Sequence, residues 1–358
     1  MTLELATAGE SHGPALVAVL SGLPAGLVLD KQAIDADLHR RQQGYGRSPR
    51  QKIETDEVEV LAGLRHGRTL GSPLALVVWN RDHKNWTWGM SPWLPEGEPE
   101  GKGTKPVTLP RPGHADLAGA QKFGFVDVRD ALERASARHT AVHVAAGAVA
   151  KALLATIGIG VKGRALPRAG ADPAAVDAAR KHKDTLGGVV EVRAVGAPPG
   201  LGSYARREDR LDARLAAAVM GIQAVKGVEI GDGFALAELR GSEAHDEIGP
   251  GLRRRTNRAG GIEAGMSNGE EIVLRAAMKP LPTLMQPLAS VDLETGEPAQ
   301  ALVERSDVSA VEALAVVAEA AVAWELARVA REKFGGDALG DFVGGWNAYM
   351  ERVGWPPR

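Results

Sequence analysis

The chain has 358 residues, 43 basic and 45 acidic side chains, a net charge of −2, 44% hydrophobic and 25% charged residues, and no cysteine. That length holds one large domain or two ordinary ones, and the composition is the ordinary globular mixture. Near-neutrality excludes a whole-molecule field for nucleic acid or an anionic membrane, and the lack of cysteine excludes disulfides, thiolate catalysis and Cys-ligated metals.

The first ten residues have neither a basic nor an apolar leader segment, so no signal peptide is expected. No run of 18 uncharged apolar residues occurs, so no membrane-spanning helix is expected and the default is a soluble cytoplasmic protein. Residues 31–41 read as an amphipathic helix, with Ile34 and Leu38 four apart. A β-branched run predicts a strand over 74–79, and the Gly/Pro-rich stretch 91–103 predicts a solvated loop. Residues 140–157 carry only His143 and Lys151 as strongly polar side chains, which predicts a helix buried between layers. A strand over 189–195 and an Ala-rich helix over 211–220 follow.

Segments 261–266 and 271–278 flank Ser267-Asn268-Gly269, which predicts a hairpin turning there. The longest helix is expected over 309–334, with Ser309 and Glu312 as a capping box and Gly335-Gly336 as the stop. Its charges at Glu312, Glu319, Glu325, Arg328 and Glu332 fall roughly along one face. Strands and helices alternate without a regular period, and no Gly-x-Gly-x-x-Gly follows a strand. The expected class is therefore α+β, with antiparallel sheets around buried helices in a single domain over 1–358. The 44 glycines and 4% aromatics suit ligand-cradling loops and a core of Ala, Val, Leu and Ile.

Six clusters carry candidate chemistry. Gly9-Glu10-Ser11-His12-Gly13 offers a general acid or a turn histidine. Arg40, Arg41, Arg47 and Arg50 straddle a Gly44-Tyr45-Gly46 turn, which reads as an anion-binding loop or a solvated basic one. Arg111-Pro112-Gly113-His114-Ala115-Asp116 holds a second turn histidine. Leu132 to His139 brings Arg134, Ser136 and Arg138 to the start of the buried helix, where a phosphate or a plain cap would be accommodated. Lys279-Pro280-Leu281-Pro282-Thr283 and Glu304-Arg305-Ser306-Asp307 complete the set. Together they make an inventory for a polyanionic ligand that lacks a nucleophile or a metal set.

These motifs, with Val144 to Lys151, Ala224 to Gly231, Asn257 to Gly269 and Met278-Lys279-Pro280, resemble the chorismate synthase family in order from residue 7 to about 308. The last fifty residues resemble it less. The resemblance implies a single-domain β-α-β sandwich, a homotetramer, and 1,4-elimination of phosphate from 5-enolpyruvylshikimate 3-phosphate. It implies reduced FMN with no net redox change. On this chain it implies His12 and His114 as catalytic histidines and Asp307 as the acidic residue near flavin N5. FMN contacts are implied at Arg134, Ala135 and Ser136, at Gln223, Ala224 and Ala264, at Lys279 through Pro280, Leu281 and Pro282 to Thr283, and at Arg305. Ser11, Arg41, Arg47, Arg50 and Arg138 form the implied substrate- or nucleotide-binding set.

The chain departs from the family pattern at Ala135, His139, His143, Gln223 and Ala264, where Ser, Glu, Arg, Asn and Gly are usual. Its compactness resembles members supplied with external reduced flavin rather than members that reduce their own with NADPH. Two rival readings are an FMN-dependent oxidoreductase, which needs a nicotinamide site without the Rossmann fingerprint, and a non-catalytic binder of phosphorylated metabolites or RNA. Neither a nucleic-acid nor a membrane partner is expected.

Overall fold

Alternation along the first strands sets up the first layer. In β2 (Ala15–Ser21), Leu16, Ala18 and Leu20 are fully buried while Val17 and Val19 point away. In β6 (Leu74–Trp79), Leu74, Leu76 and Val78 repeat the pattern. With β1 (Glu4–Ala8) and β3 (Glu59–Ala62) they form an antiparallel sheet in the order β1-β2-β6-β3. A small pair, β4 (Leu64–Arg65) with β5 (Arg68–Thr69), joins β3 to β6. The computed structural model describes residues 2–48, 55–304 and 306–355.

The second sheet is antiparallel in the order β7-β8-β12-β9, from β7 (Gly160–Ala165), β8 (Gly188–Val195), β9 (Val225–Ile230) and β12 (Ile272–Met278). Two helices fill the space between the sheets. Helix α4 (Thr140–Ala155) packs on β2 and β6, helix α8 (Val311–Phe334) packs on β7 and β8, and the two pack on each other. The approach is close: a Cβ on Gly147 would stand 2.3 Å from Cβ of Ala320. Small residues on both helices therefore set the thickness of the sandwich, consistent with a core drawn largely from Ala, Val, Leu and Ile.

The flanking elements are α1 (Lys31–Gln42), α5 (Pro173–Lys181), α6 (Leu211–Met220), α7 (Gly241–Ala244) and α9 (Leu339–Val353), with the strand pair β13 (Ala289–Val291) and β14 (Pro298–Gln300). Helices α2 (Asp116–Phe123) and α3 (Arg129–Ala135) close over a satellite core of Val107, Ala120, Val128 and Leu132. That satellite carries two of the chemistry-bearing motifs.

The α+β class and the buried position of the 140–157 helix agree with the sequence reading, and 91–103 is an exposed loop. Two details differ. The predicted hairpin turns earlier: β10 (Ile262–Glu263) pairs with β11 (Met266–Ser267) around Ala264 and Gly265, both at positive φ (49° and 80°). Strand β12 instead pairs with β8 and β9. Helix α8 starts with only half of the predicted capping box: the Ser309 hydroxyl accepts the N–H of Val311 (3.3 Å) while donating to the carbonyl of Gly170 (2.6 Å), but Glu312 accepts the N–H of Tyr45 (3.3 Å) instead of reaching back to the helix start. Of the charges along α8, Glu312 and Glu332 are exposed, whereas Glu319 (1% exposed) takes Arg40 at 2.8 Å and Lys151 at 2.7 Å, and buried Glu325 takes Arg214 and Arg328.

Candidate active site

A cavity of about 500 Å³ opens where the β1–β2 loop, the 111–116 turn, the start of α4 and the 279–283 segment converge. This volume is in the range of small-molecule sites. Among the described lining residues, five are cationic (Arg41, Arg47, Arg111, Arg138 and Lys279) against two carboxylates, Glu304 and Asp307. The near-neutral protein thus concentrates positive charge at one place.

His12 leaves the first sheet on the β1–β2 loop and lines the cavity, with its side chain only 8% exposed. Its Nδ1 lies 2.9 Å from Oε1 and 3.0 Å from Oε2 of Glu133, and its backbone N–H donates to Oε2 at 2.9 Å. Its ring stacks on Trp86 at 3.9 Å with planes 20° apart. Trp86 is held in turn by its indole N–H donating to Asp82 at 3.0 Å. Burial works to raise the Glu133 pKa, but hydrogen bonds from His12 outweigh it and hold the carboxyl below its ordinary value.

His114 sits in the turn before α2, and its Nδ1 contacts Oδ1 of fully buried Asp116. Arg111 grips the same carboxylate through Nε (2.8 Å) and Nη2 (3.1 Å). The other guanidinium nitrogen, Nη1, donates to Thr283 Oγ1 (3.0 Å) and Glu304 (3.2 Å), and Lys279 Nζ donates to the carbonyl of Gly113. Burial again opposes ionisation of Asp116, yet His114 and Arg111 together hold it well below the usual carboxylate range.

The arginines are anchored by the protein before any ligand arrives. Arg41 is 5% exposed and donates to Thr140 Oγ1 (2.9 Å), Asp56 (3.2 Å) and the Arg138 carbonyl (3.2 Å). Burial pushes its pKa down to about 10, which leaves it charged at neutral pH. Arg138 takes both oxygens of Asp56 (2.7 and 2.8 Å) and Asn80 (3.0 Å). Arg47 pairs with Asp307 at 2.8 Å, while its Nε is buried with no hydrogen-bond partner among the described residues. A buried guanidinium N–H without an acceptor is costly unless a ligand supplies one.

Most of the sequence-predicted site meets here. Ser11, His12, His114, Asp307, Arg41 and Arg47 line the cavity. So do Arg138, Ala135, Ser136, Gln223 and Ala224, and Lys279 with Leu281, Pro282 and Thr283. Pro280 and Ala264 do not line it; Ala264 sits in the β10–β11 turn beside α6, where Leu211 donates to the Gly265 carbonyl. Arg134 does not line it either, because its guanidinium donates to Thr7 and to the carbonyl of Gly9. Arg50 and Arg305 lie outside the described residues.

Sequence reasoning gave no role to Glu133, Trp86 or Asp56, whose partners are tens of residues away or more. The departures His139, His143 and Gln223 border a second cavity of about 510 Å³. Their rings and amide touch: His139 and His143 meet edge-on at 5.2 Å, and the Gln223 amide lies 3.1 Å from each His139 nitrogen. Burial pushes His143 down to about 4 and His139 below its ordinary value.

Fold and cavity together define a β-α-β sandwich protein whose main cavity gathers two histidines and five cationic side chains. Among the described residues no cluster of three or more His, Asp or Glu is placed to hold a metal ion. The family model described as chorismate synthase matches residues 3–330. A protein named chorismate synthase from Rubrobacter xylanophilus is 53% identical over 100% of this chain and 99% of its own length. One so named from Symbiobacterium thermophilum is 53% identical over 97% and 98%. A solved chorismate synthase crystal structure aligns with a TM-score of 0.77 and 35% identity, covering 99% of this chain and 98% of that one. The chain belongs to the chorismate synthase family.

Proposed function

We propose that this protein catalyses the 1,4-elimination of phosphate from 5-enolpyruvylshikimate 3-phosphate, yielding chorismate for aromatic amino acid biosynthesis. The observation that carries the reading is the convergence of His12, His114 and five cationic side chains on one cavity. The substrate bears one phosphate and two carboxylates, and charge-assisted bonds from pre-anchored arginines suit such groups. Arg47 offers its unpartnered Nε–H as a further donor. His12 protonates the departing phosphate, a role suited to an imidazole near neutral pH. The cations hold the leaving group through its gain of negative charge.

The lining also fits reduced FMN. Apolar side chains such as Leu132, Ile222, Met278, Leu314 and Val317 suit a flat ring system, and Lys279, Ser136 and Thr283 supply donors for a phosphate. Ala135, Gln223, Ala224, Leu281 and Pro282 join them as the cavity-lining residues that would hold it, with His114 and Asp307 as the acid–base groups on the cofactor side. When bound, reduced FMN would supply electron density as the C–O bond breaks, and the hydrogen lost from C6 would leave on the cofactor side, where His114 and Asp307 stand.

The same reading takes the whole chain as one domain, supported by a core cluster running from Leu3 to Trp346. It takes the flavin as reduced externally and the protein as a cytoplasmic homotetramer. No helix among the described residues is long and apolar enough to cross a membrane.

The decisive experiment measures phosphate released against reductant oxidised, with oxygen excluded. Oxidised FMN should bind and support no turnover, whereas chemically reduced FMN should support many. Phosphate and chorismate should appear in equal amounts, and phosphate per reductant oxidised should climb with every turnover. A fixed one-to-one ratio would replace this reading with an FMN-dependent oxidoreductase.

A further inference from the structure

We infer that Glu133 is the positioning residue for His12, fixing the imidazole as the tautomer that carries its proton on Nδ1. The inference rests on the reading of His12 as the proton donor. Glu133 is 2% exposed and does not line the cavity, so it acts through His12 and not on the ligand.

The grip has three points. The carboxylate reaches ring Nδ1 at 2.9 and 3.0 Å, accepts the His12 backbone N–H at 2.9 Å, and the Glu133 carbonyl accepts the Ser11 N–H at 3.1 Å. A cap for the loop needs only the two backbone bonds. The additional contact to the ring makes chemical sense if Nδ1 is a donor, because an ionised carboxylate only accepts. The depressed Glu133 pKa agrees that the carboxylate is the ionised partner. Arg129 approaches the same carboxylate at only 3.4 Å, so His12 is its principal partner. Trp86, stacked on the ring and bonded to Asp82, blocks rotation out of this plane.

With Nδ1 committed, proton exchange with a cavity ligand falls to Nε2. A carboxylate behind an imidazole also stabilises the cation that delivers the proton. Glu133 thus stands where the buried acid stands in a hydrolase triad.

The test compares three variants with anaerobic, reduced-FMN enzyme: Glu133→Gln, His12→Ala and the double variant. Glu133→Gln should lower kcat roughly 10- to 10³-fold, the range set by second-layer carboxylates, and leave KM nearly unchanged. The double variant should be no slower than His12→Ala alone. Normal kcat in Glu133→Gln beside an inactive His12→Ala would overturn the positioning role and leave the functional reading intact. Multiplying losses in the double variant would also overturn it, since Glu133 would then act independently of His12. Near-normal turnover in His12→Ala would remove the functional reading itself. If Glu133→Gln does not fold, ¹⁵N-histidine NMR of the unaltered enzyme decides, with His12 assigned by its loss in His12→Ala. An Nδ1-protonated ring sustains the inference, and an Nε2-protonated one ends it.

Discussion

The two cavity histidines are held by the same device in different economies. At His12 the carboxylate of Glu133 serves chiefly one imidazole, from inside helix α3, with an indole face behind the ring. At His114 the carboxylate of Asp116 is divided between the imidazole and Arg111. Arg111 in turn ties that turn to Thr283 and Glu304. The His12 loop is braced on the substrate side, since Asn80 donates to the carbonyls of Glu10 and Gly13 and accepts Arg138, while His114 is wired into the loops proposed to hold the cofactor. Disturbing the 279–283 segment should reach His114 more than His12. Another pair, His139 and His143, shows what histidines do here without a carboxylate: burial, helped by nearby Arg134, drives their pKa values down.

The largest expected effect comes from removing either cavity imidazole. His12→Ala and His114→Ala should each lower turnover roughly 10²- to 10⁴-fold, the usual share of one general acid or base, with ligands still bound. Normal rates in both variants would remove the contrast altogether.

Next in size is a stability difference between the two carboxylates. Asp116→Asn leaves the Arg111 guanidinium, 5% exposed, without its buried counter-charge, which typically costs about 3–5 kcal/mol. Glu133→Gln strands an imidazole that can be neutral, and should cost only about 1–2 kcal/mol. Urea unfolding of both variants measures the gap, and equal losses would show that Arg111 is not the principal partner of Asp116.

The carboxylate-free pair makes a pH prediction. The folded pKa of His143 lies at about 4, below its ordinary value of 6.5. Between those values the unfolded chain binds a proton that the folded one refuses. Its stabilising contribution is therefore complete above pH 6.5 and is lost as pH falls toward 4, by on the order of 3 kcal/mol at full effect. His143→Gln should flatten the fall in unfolding free energy between pH 7 and pH 4.5. A curve parallel to that of the unaltered protein would show that burial of His143 is not its source.

The smallest effect separates the substrate region from the cofactor region. Arg47 touches neither histidine, and Arg47→Ala should raise the substrate Kd roughly ten- to a hundredfold while both imidazoles stay in place. Calorimetric titration of substrate and of FMN into this variant should show the loss for substrate only. A matching loss for FMN would merge the two binding regions.

Local patterns were enough to place several elements and most of the site motifs. The bounds of α6 and β6 follow from runs of residues with one preferred geometry, and α4 is legible because hardly any polar side chain interrupts it. Much of the cationic inventory was equally visible, since Arg47 and Arg111 sit in short Gly- or Pro-marked segments. Other features depend on partners that meet only after folding. Glu133 stands 121 residues from His12, and Glu319 stands 279 residues from Arg40. No periodicity encodes such pairs. Ser309 and Glu312 had the letters of a capping box, and Ser309 does accept the N–H of Val311, but Tyr45 drew the Glu312 carboxylate away from the helix end. The hairpin signal at Asn268-Gly269 lost to Ala264-Gly265 in the same way, because β12 found better partners in β8 and β9. Hydrogen-bonding side chains and strand edges go to whichever partner the packed core brings nearest, and that choice is made in three dimensions.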